Sequence, residues 1–334
     1  MSRSAKIMTV CFVAVLGLLA LCGSAWAVEG MVSYWKLDEG SGTMAYDSVG
    51  DNHGTLFNGP VWDTGIVNNA LYFERGKYVE IPDSDDLDFT TSLSIEAWVK
   101  ADYPLPHLPH NDHQLVSKSS GCCDSYMLFY GWGNDLIFDI RTNESGFVGQ
   151  GYNVPNHDSW HHFVATWDGS YMRLYVDGVK VLGKDGYYDR PATGTISPNN
   201  TPLRIAKSGR ATGPYQANFY GWIDEVAVYN RALTGSEIWN SYVSVKAVYL
   251  LHSLAQKVIA LNLQKGISNS LDAKLYAALQ ALDDLNENND VAAINTLQAF
   301  INAVEAQRGK KISQEDADDL IAAAQEIIDL LVAE

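Results

Sequence analysis

Cysteine is scarce: the 334 residues hold four, Cys11, Cys22 and the neighbouring pair Cys122 and Cys123. One adjacent pair beyond the amino-terminal segment cannot build a disulfide framework. Basic residues are also few, 23 Lys and Arg against 40 Asp and Glu, for a net charge of −17. That balance excludes a general phosphate-backbone binder, which needs a basic surface to displace counterions, so no nucleic-acid partner is expected. Long apolar runs are missing except at the start, where Arg3 and Lys6 precede Ile7 to Leu21 and the small-residue pattern Ala25-Trp26-Ala27. A basic flank, a short apolar segment and an A-x-A end read as a cleavable secretory signal peptide over residues 1–27. Leu21 before Cys22 argues against a lipid anchor. The expectation is therefore a secreted or cell-surface protein with no membrane span in the mature chain.

Tryptophan and proline are absent from Val245 onward, where alanine and leucine take over; that shift marks a domain boundary, with a first domain over 28–243 and a second over 244–334. The first is punctuated by short strand signals. Leu93 to Val99 alternates at period two, and Arg173 to Val181 places Asp177-Gly178 between two β-rich runs. Many short strands without intervening helices predict an all-β jelly-roll sandwich. The second carries four one-sided helical stripes, such as Leu271, Leu275, Ala278 and Leu282, or Leu320, Ala324, Ile327 and Leu331, which predict a small bundle of about four α-helices. Ser313 and Asp316 have the spacing of a cap at the start of the last one. Trp98, Trp160, Trp167 and Trp222 are assigned to the core.

Two resemblances follow from motifs in this order. Trp35-Lys-Leu-Asp-Glu-Gly-Ser-Gly42, Ala70-Leu-Tyr-Phe73, Leu93 to Val99, Trp160-His-His-Phe-Val164, Leu174-Tyr-Val-Asp-Gly178 and Gly221-Trp-Ile-Asp-Glu-Val226 with Tyr229-Asn-Arg-Ala-Leu233 resemble the laminin-G-like, concanavalin A-like (lectin/glucanase) jelly rolls of secreted bacterial proteins. Asn269 to Leu275, Ala299 to Asn302, Val304 to Gly309 and Ala317 to Ile321 resemble the helical FIMAH domain, which implies an accessory role in attachment or assembly. The first resemblance implies lectin-like carbohydrate binding or adhesion. It also implies a structural Ca²⁺ where first and last strands meet, ligated by Glu39, Asp47 and Asp224, with Asp38, Asn52 and a carbonyl near His53 completing the oxygens such an ion needs. The competing reading of these carboxylates is that they shape turns and cap a strand end.

A sugar site needs an exposed aromatic face beside planar polar groups. Trp132, between glycines in Tyr130-Gly-Trp-Gly-Asn-Asp135, is the leading candidate, with Asn134, Asp135, Arg141, Asn143 and Tyr152 as ligand-binding partners and Tyr187 and Tyr188 as further stacking surface. Cys122 and Cys123 stand as a vicinal disulfide or as two thiols. His107, His110 and His113 have a zinc-like composition, but on a proline-rich extended loop. No catalytic carboxylate pair, no Glu-x-Asp-x-x-Glu pattern and no Gly-x-Ser-x-Gly elbow is present, and adjacent Asp224 and Glu225 should point to opposite faces of a strand. The primary expectation is a non-catalytic protein that binds a glycan or cell-envelope component. The alternatives are a cell-surface scaffold or protein-interaction module and, third, a polysaccharide hydrolase or lyase.

Overall fold

The structure, a computed structural model, describes residues 29–102, 113–120, 125–131, 135–207, 209, 219–283 and 289–333. Among these residues seventeen strands and four α-helices form. The strands are β1 (Met31–Trp35), β2 (Met44–Ala45), β3 (Gly54–Phe57), β4 (Val61–Thr64), β5 (Asn69–Phe73), β6 (Tyr78–Ile81), β7 (Leu93–Ala101), β8 (His113–Lys118), β9 (Tyr126–Tyr130) and β10 (Asp135–Thr142). They continue with β11 (Gly146–Asn153), β12 (His161–Trp167), β13 (Tyr171–Val176), β14 (Val179–Lys180), β15 (Arg190–Pro191), β16 (Leu203–Ile205) and β17 (Gly221–Tyr229). The helices are α1 (Gly235–Ala260), α2 (Lys265–Asp283), α3 (Asn289–Gln307) and α4 (Gln314–Val332).

Two antiparallel sheets stack as a sandwich, as the alternating patterns predict. One runs β14-β13-β12-β7-β17-β5-β4, with β1 added on β17 and β15 on β13; the other runs β11-β10-β9-β8-β16-β6-β3-β2. Their inner faces meet through residues such as Trp35, Ile95, Phe138, Phe163 and Trp167, all essentially without solvent exposure. The buried indoles are satisfied: Trp35 donates to the Asn52 carbonyl at 2.7 Å and Trp167 to the Ala192 carbonyl at 2.7 Å. Asp177 and Gly178 both take positive φ, 50° and 78°, the geometry a two-residue hairpin between β13 and β14 demands. Gly178 has a second reason to lack a side chain, since a β-carbon there would stand 2.7 Å from the Trp239 ring on α1.

The four-helix expectation holds, and Ser313 caps α4 by accepting from the Asp316 amide at 3.0 Å. The first helix begins earlier than the composition shift suggested, at a full capping box between Thr234 and Glu237. It runs straight through the expected 243/244 junction. Ile238 packs on the outer face of the first sheet, while Val243, Ala247, Leu251, Leu254 and Val258 belong to the helical core. One continuous helix thus serves both hydrophobic cores. No helix among the described residues is long and apolar enough to cross a membrane.

Candidate glycan-binding face and the cleft beside it

The outer face of the first sheet carries the chemistry. On β7 the residues opposite the core are Ser94, Glu96, Trp98 and Lys100; on β17 they start with Trp222. Trp222 lies directly across from Tyr72 of β5 on one side and Lys100 of β7 on the other. The Tyr72 and Trp222 rings are 4.7 Å apart between centroids at 47°, and the Lys100 ammonium sits 4.9 Å from the Trp222 centroid. Both polar tips are anchored by exposed carboxylates: the indole N–H donates to Asp63 Oδ2 at 2.9 Å and the Tyr72 hydroxyl to Asp102 Oδ2 at 3.0 Å. Partial burial and that hydrogen bond push the Tyr72 phenol up to about 12, so it remains a donor at neutral pH. Two half-exposed aromatic rings flanked by one cation and two acceptors make an amphipathic platform. Trp222 is therefore corrected from core to surface, and Trp160 is half-buried, while Trp167 is core as expected.

Trp98 is buried as expected, but by α1 rather than by the sandwich core. Its ring stacks on Tyr242 at 5.7 Å and 12°. Beneath it Glu96, 5% exposed, accepts from His162 Nε2 at 2.7 Å, from the Tyr229 hydroxyl at 2.6 Å and from the Ser241 hydroxyl of α1. Burial opposes its ionisation, yet these three donors hold it below the ordinary glutamate value. This knot ties β7, β12, β17 and α1 together. His161 and His162 both take structural roles, His161 bonding Asp177 at 2.8 Å.

Strict alternation would aim Glu225 into the core, since Ile223 points there. The register instead slips between Asp224 and Ala227, two residues facing one on β7, and Glu225 takes φ 49°. The slip sends Val226 and Val228 inward and leaves Glu225 against a cleft on the helix side. The expectation that Asp224 and Glu225 point to opposite faces is corrected accordingly. Asp224 itself is fully buried, accepting from the Ile66 and Val67 amides at 3.0 and 3.4 Å and from the Glu225 amide at 2.9 Å. Burial, with Asp38 nearby, pushes its carboxyl well up.

The three expected calcium ligands fit that ion poorly. Asp47 spends both oxygens on the amides of Tyr34, Val49 and Asn52, at 3.0 to 3.1 Å, and Asp224 is occupied as described. Glu39 accepts from the Tyr46 amide at 2.7 Å and keeps one unpartnered oxygen. Among the described residues no group of three or more His, Cys, Asp or Glu side chains could hold a metal ion.

Of the sequence-predicted sugar residues, Trp132 and Asn134 lie outside the described residues, as do Cys122, Cys123, His107 and His110. His113 is buried on β8. The flanking strands β9 and β10 do pair as a hairpin, closed by the Gly131 amide on the Asp135 carbonyl at 2.9 Å. Asp135 is buried and bound to Lys184 at 2.6 Å; Tyr152, near it on β11, packs against the core. Arg141 and Asn143 stand at the far end of β10, about 20 Å away at the rise of a strand, so the expected set does not converge. Exposed Tyr187 and Tyr188 lie beside Arg190 and Lys180, ring centroids 5.4 and 5.9 Å from the cations.

Fold and face together define a lectin-like jelly roll followed by a helical unit. The Concanavalin A-like lectin/glucanases superfamily (Laminin_G_3) matches residues 73–239, and the chain belongs to that family. No curated protein matches the sequence significantly. Similar solved structures include the binding domain of Paraclostridial Mosquitocidal Protein 1, at 15% identity and TM-score 0.51, over 65% of this chain and 52% of that one. They also include domain 4 of AbnA, a GH43 extracellular arabinanase from Geobacillus stearothermophilus, in complex with arabinotriose, at 16% identity and TM-score 0.48, over 62% of this chain and 96% of that one. A third is the botulinum neurotoxin serotype G binding domain, at 13% identity and TM-score 0.48, over 64% and 50%. The chain spans about half the length of the first of these, and at such identities the likeness concerns the fold.

Proposed function

We propose that this protein is an exported, non-catalytic carbohydrate-binding protein whose sugar-binding surface is the Trp222–Tyr72 platform on the outer face of the first sheet. The observation that carries the reading is the juxtaposition of two solvent-facing rings with Lys100, Asp63 and Asp102 in a family of lectins and glucanases. A pyranose buries its apolar C–H face on the rings while its hydroxyls reach the carboxylates and the ammonium. In this proposal the four helices provide attachment, in keeping with their resemblance to FIMAH domains, and pull-down from a cell-envelope fraction tests that role.

A glycan array followed by calorimetry on the hits tests the sugar reading. Removing the indole in Trp222→Ala deletes about 1.5–3 kcal/mol of aromatic burial, a loss of roughly 10- to 100-fold in affinity. Trp132→Ala, at the position that sequence favoured, is the comparison. Loss confined to Trp132→Ala would move the site to the segment between β9 and β10, and an array without hits would remove the carbohydrate reading.

A further inference from the structure

Beside the platform, two residues further along β7 and three along β17, a cleft of about 470 Å³ opens between the first sheet and helices α1 and α2. That volume is in the range of small-molecule sites. Its walls are mainly apolar, with Met31 and Val67 from the sandwich facing Val248 and Leu279 from the helices, and aromatic edges from Tyr34, Trp98 and Tyr229. Glu225 lines it from the strained bulge, 6% exposed, with one carboxylate oxygen that has no hydrogen-bond partner. Positive φ on a buried non-glycine residue carries a backbone cost, here as at Leu37 and Ala206. The indole N–H of Trp98 is also buried and unpartnered.

The nearby charges are predominantly acidic. From β1 and the segment after it come Lys36 and Asp38, from β7 Glu96, from β17 Glu225, and from α1 Glu237 and His252. Of the two bases in this set, Lys36 lies over the Tyr34 ring with its ammonium 5.7 Å from the centroid, and burial holds His252 below the ordinary imidazole value; Arg231 and His162, which do not line the cleft, are held by Glu237 and Glu96. Burial alone, with no base acting on it, sets the Glu225 carboxyl high. We propose that the cleft binds a small organic amine, its ammonium on the free oxygen of Glu225 and its apolar body between Trp98 and Tyr229 on the sheet and Val248 and Leu279 on the helices. A bound cation stabilises the carboxylate form, so binding below the carboxyl's midpoint of about 8 releases the Glu225 proton to solvent.

The experiment is calorimetry on the full mature chain with phenethylamine, 2-phenylethanol and 3-phenylpropanoate as probes. Phenethylamine should bind, tightening about tenfold per pH unit from 6 toward 8 and levelling off above, with buffer-dependent heats that report the released proton. Glu225→Gln should lose at least tenfold for the amine. Val248→Trp, which fills the cleft without touching a charge, should abolish amine binding and spare glycan binding. Equal affinity for phenylethanol, affinity that weakens as pH rises, an unchanged Glu225→Gln, or no binding of any probe overturns the proposal. The glycan platform and the amine cleft use different residues, so either fails without the other.

Discussion

Replacing Glu225 by glutamine should stabilise the protein, and the gain should grow with pH in a calculable way. Burial pushes this carboxyl from 4.5 up to about 8 in the folded protein. Between those values the native state holds a proton that the unfolded chain has released, so stability falls as pH rises and the loss is complete above the folded midpoint. At 1.36 kcal/mol per unit the penalty is about 3 kcal/mol at pH 7 and about 5 kcal/mol above pH 8, and close to nothing near pH 4.5. Glutamine keeps the shape of the neutral acid and does not titrate. Urea unfolding of both proteins at pH 5, 7 and 8.5 measures the difference directly, and raised Asp38 and Asp224 and lowered Glu96 cancel because both proteins carry them. In melting temperature the pH 7 gain amounts to roughly 6–12 °C for a unit of this size. A variant that is less stable than the parent, or a difference that does not change between pH 5 and 8.5, would refute the assignment of a buried, uncompensated carboxyl.

Three further outcomes follow from the same structure. Lys118 is fully buried and bridges Asp83, Asp88 and the Asn199 and Thr201 carbonyls, so Lys118→Ala should cost about 3–5 kcal/mol in urea unfolding. The donors on Glu96 make its stabilising effect present above pH 4.5 and lost as pH falls through its lowered folded value; Glu96→Ala should therefore be destabilised at pH 7 and nearly matched to the parent at the acid end, as followed by circular dichroism. Because backbone amides fill Asp47 and Asp224, chelator treatment should leave the melting temperature unchanged and calcium titration should produce no heat.

The strands were legible because β7 and β13 keep a strict period of two and Asp177-Gly178 can only be a tight turn; the last helix was legible through Ser313. Placement of Trp222 was missed for a specific reason. Alternation around Ile223 already puts its neighbour on the outer face, but nothing local says that α1 covers Trp98 and stops short of Trp222. Tyr72, Lys100, Asp63 and Asp102 meet Trp222 only through the β5-β17-β7 strand order, a long-range fact that no local motif carries. The Glu225 bulge was hidden because a one-residue slip leaves the apolar pattern of Val226 and Val228 looking like an ordinary change of phase. Helix α1 crosses the composition boundary because packing on the sheet, through Ile238, starts it while the sequence still reads as the sandwich.

The most direct measurement is the indole N–H spectrum of the ¹⁵N-labelled protein, assigned by substitution and titrated with an oligosaccharide that the array selects. The platform account predicts that the Trp222 resonance moves with the binding isotherm while core Trp35 and Trp167 stay fixed. A Trp222 signal that does not move while the oligosaccharide binds would contradict it.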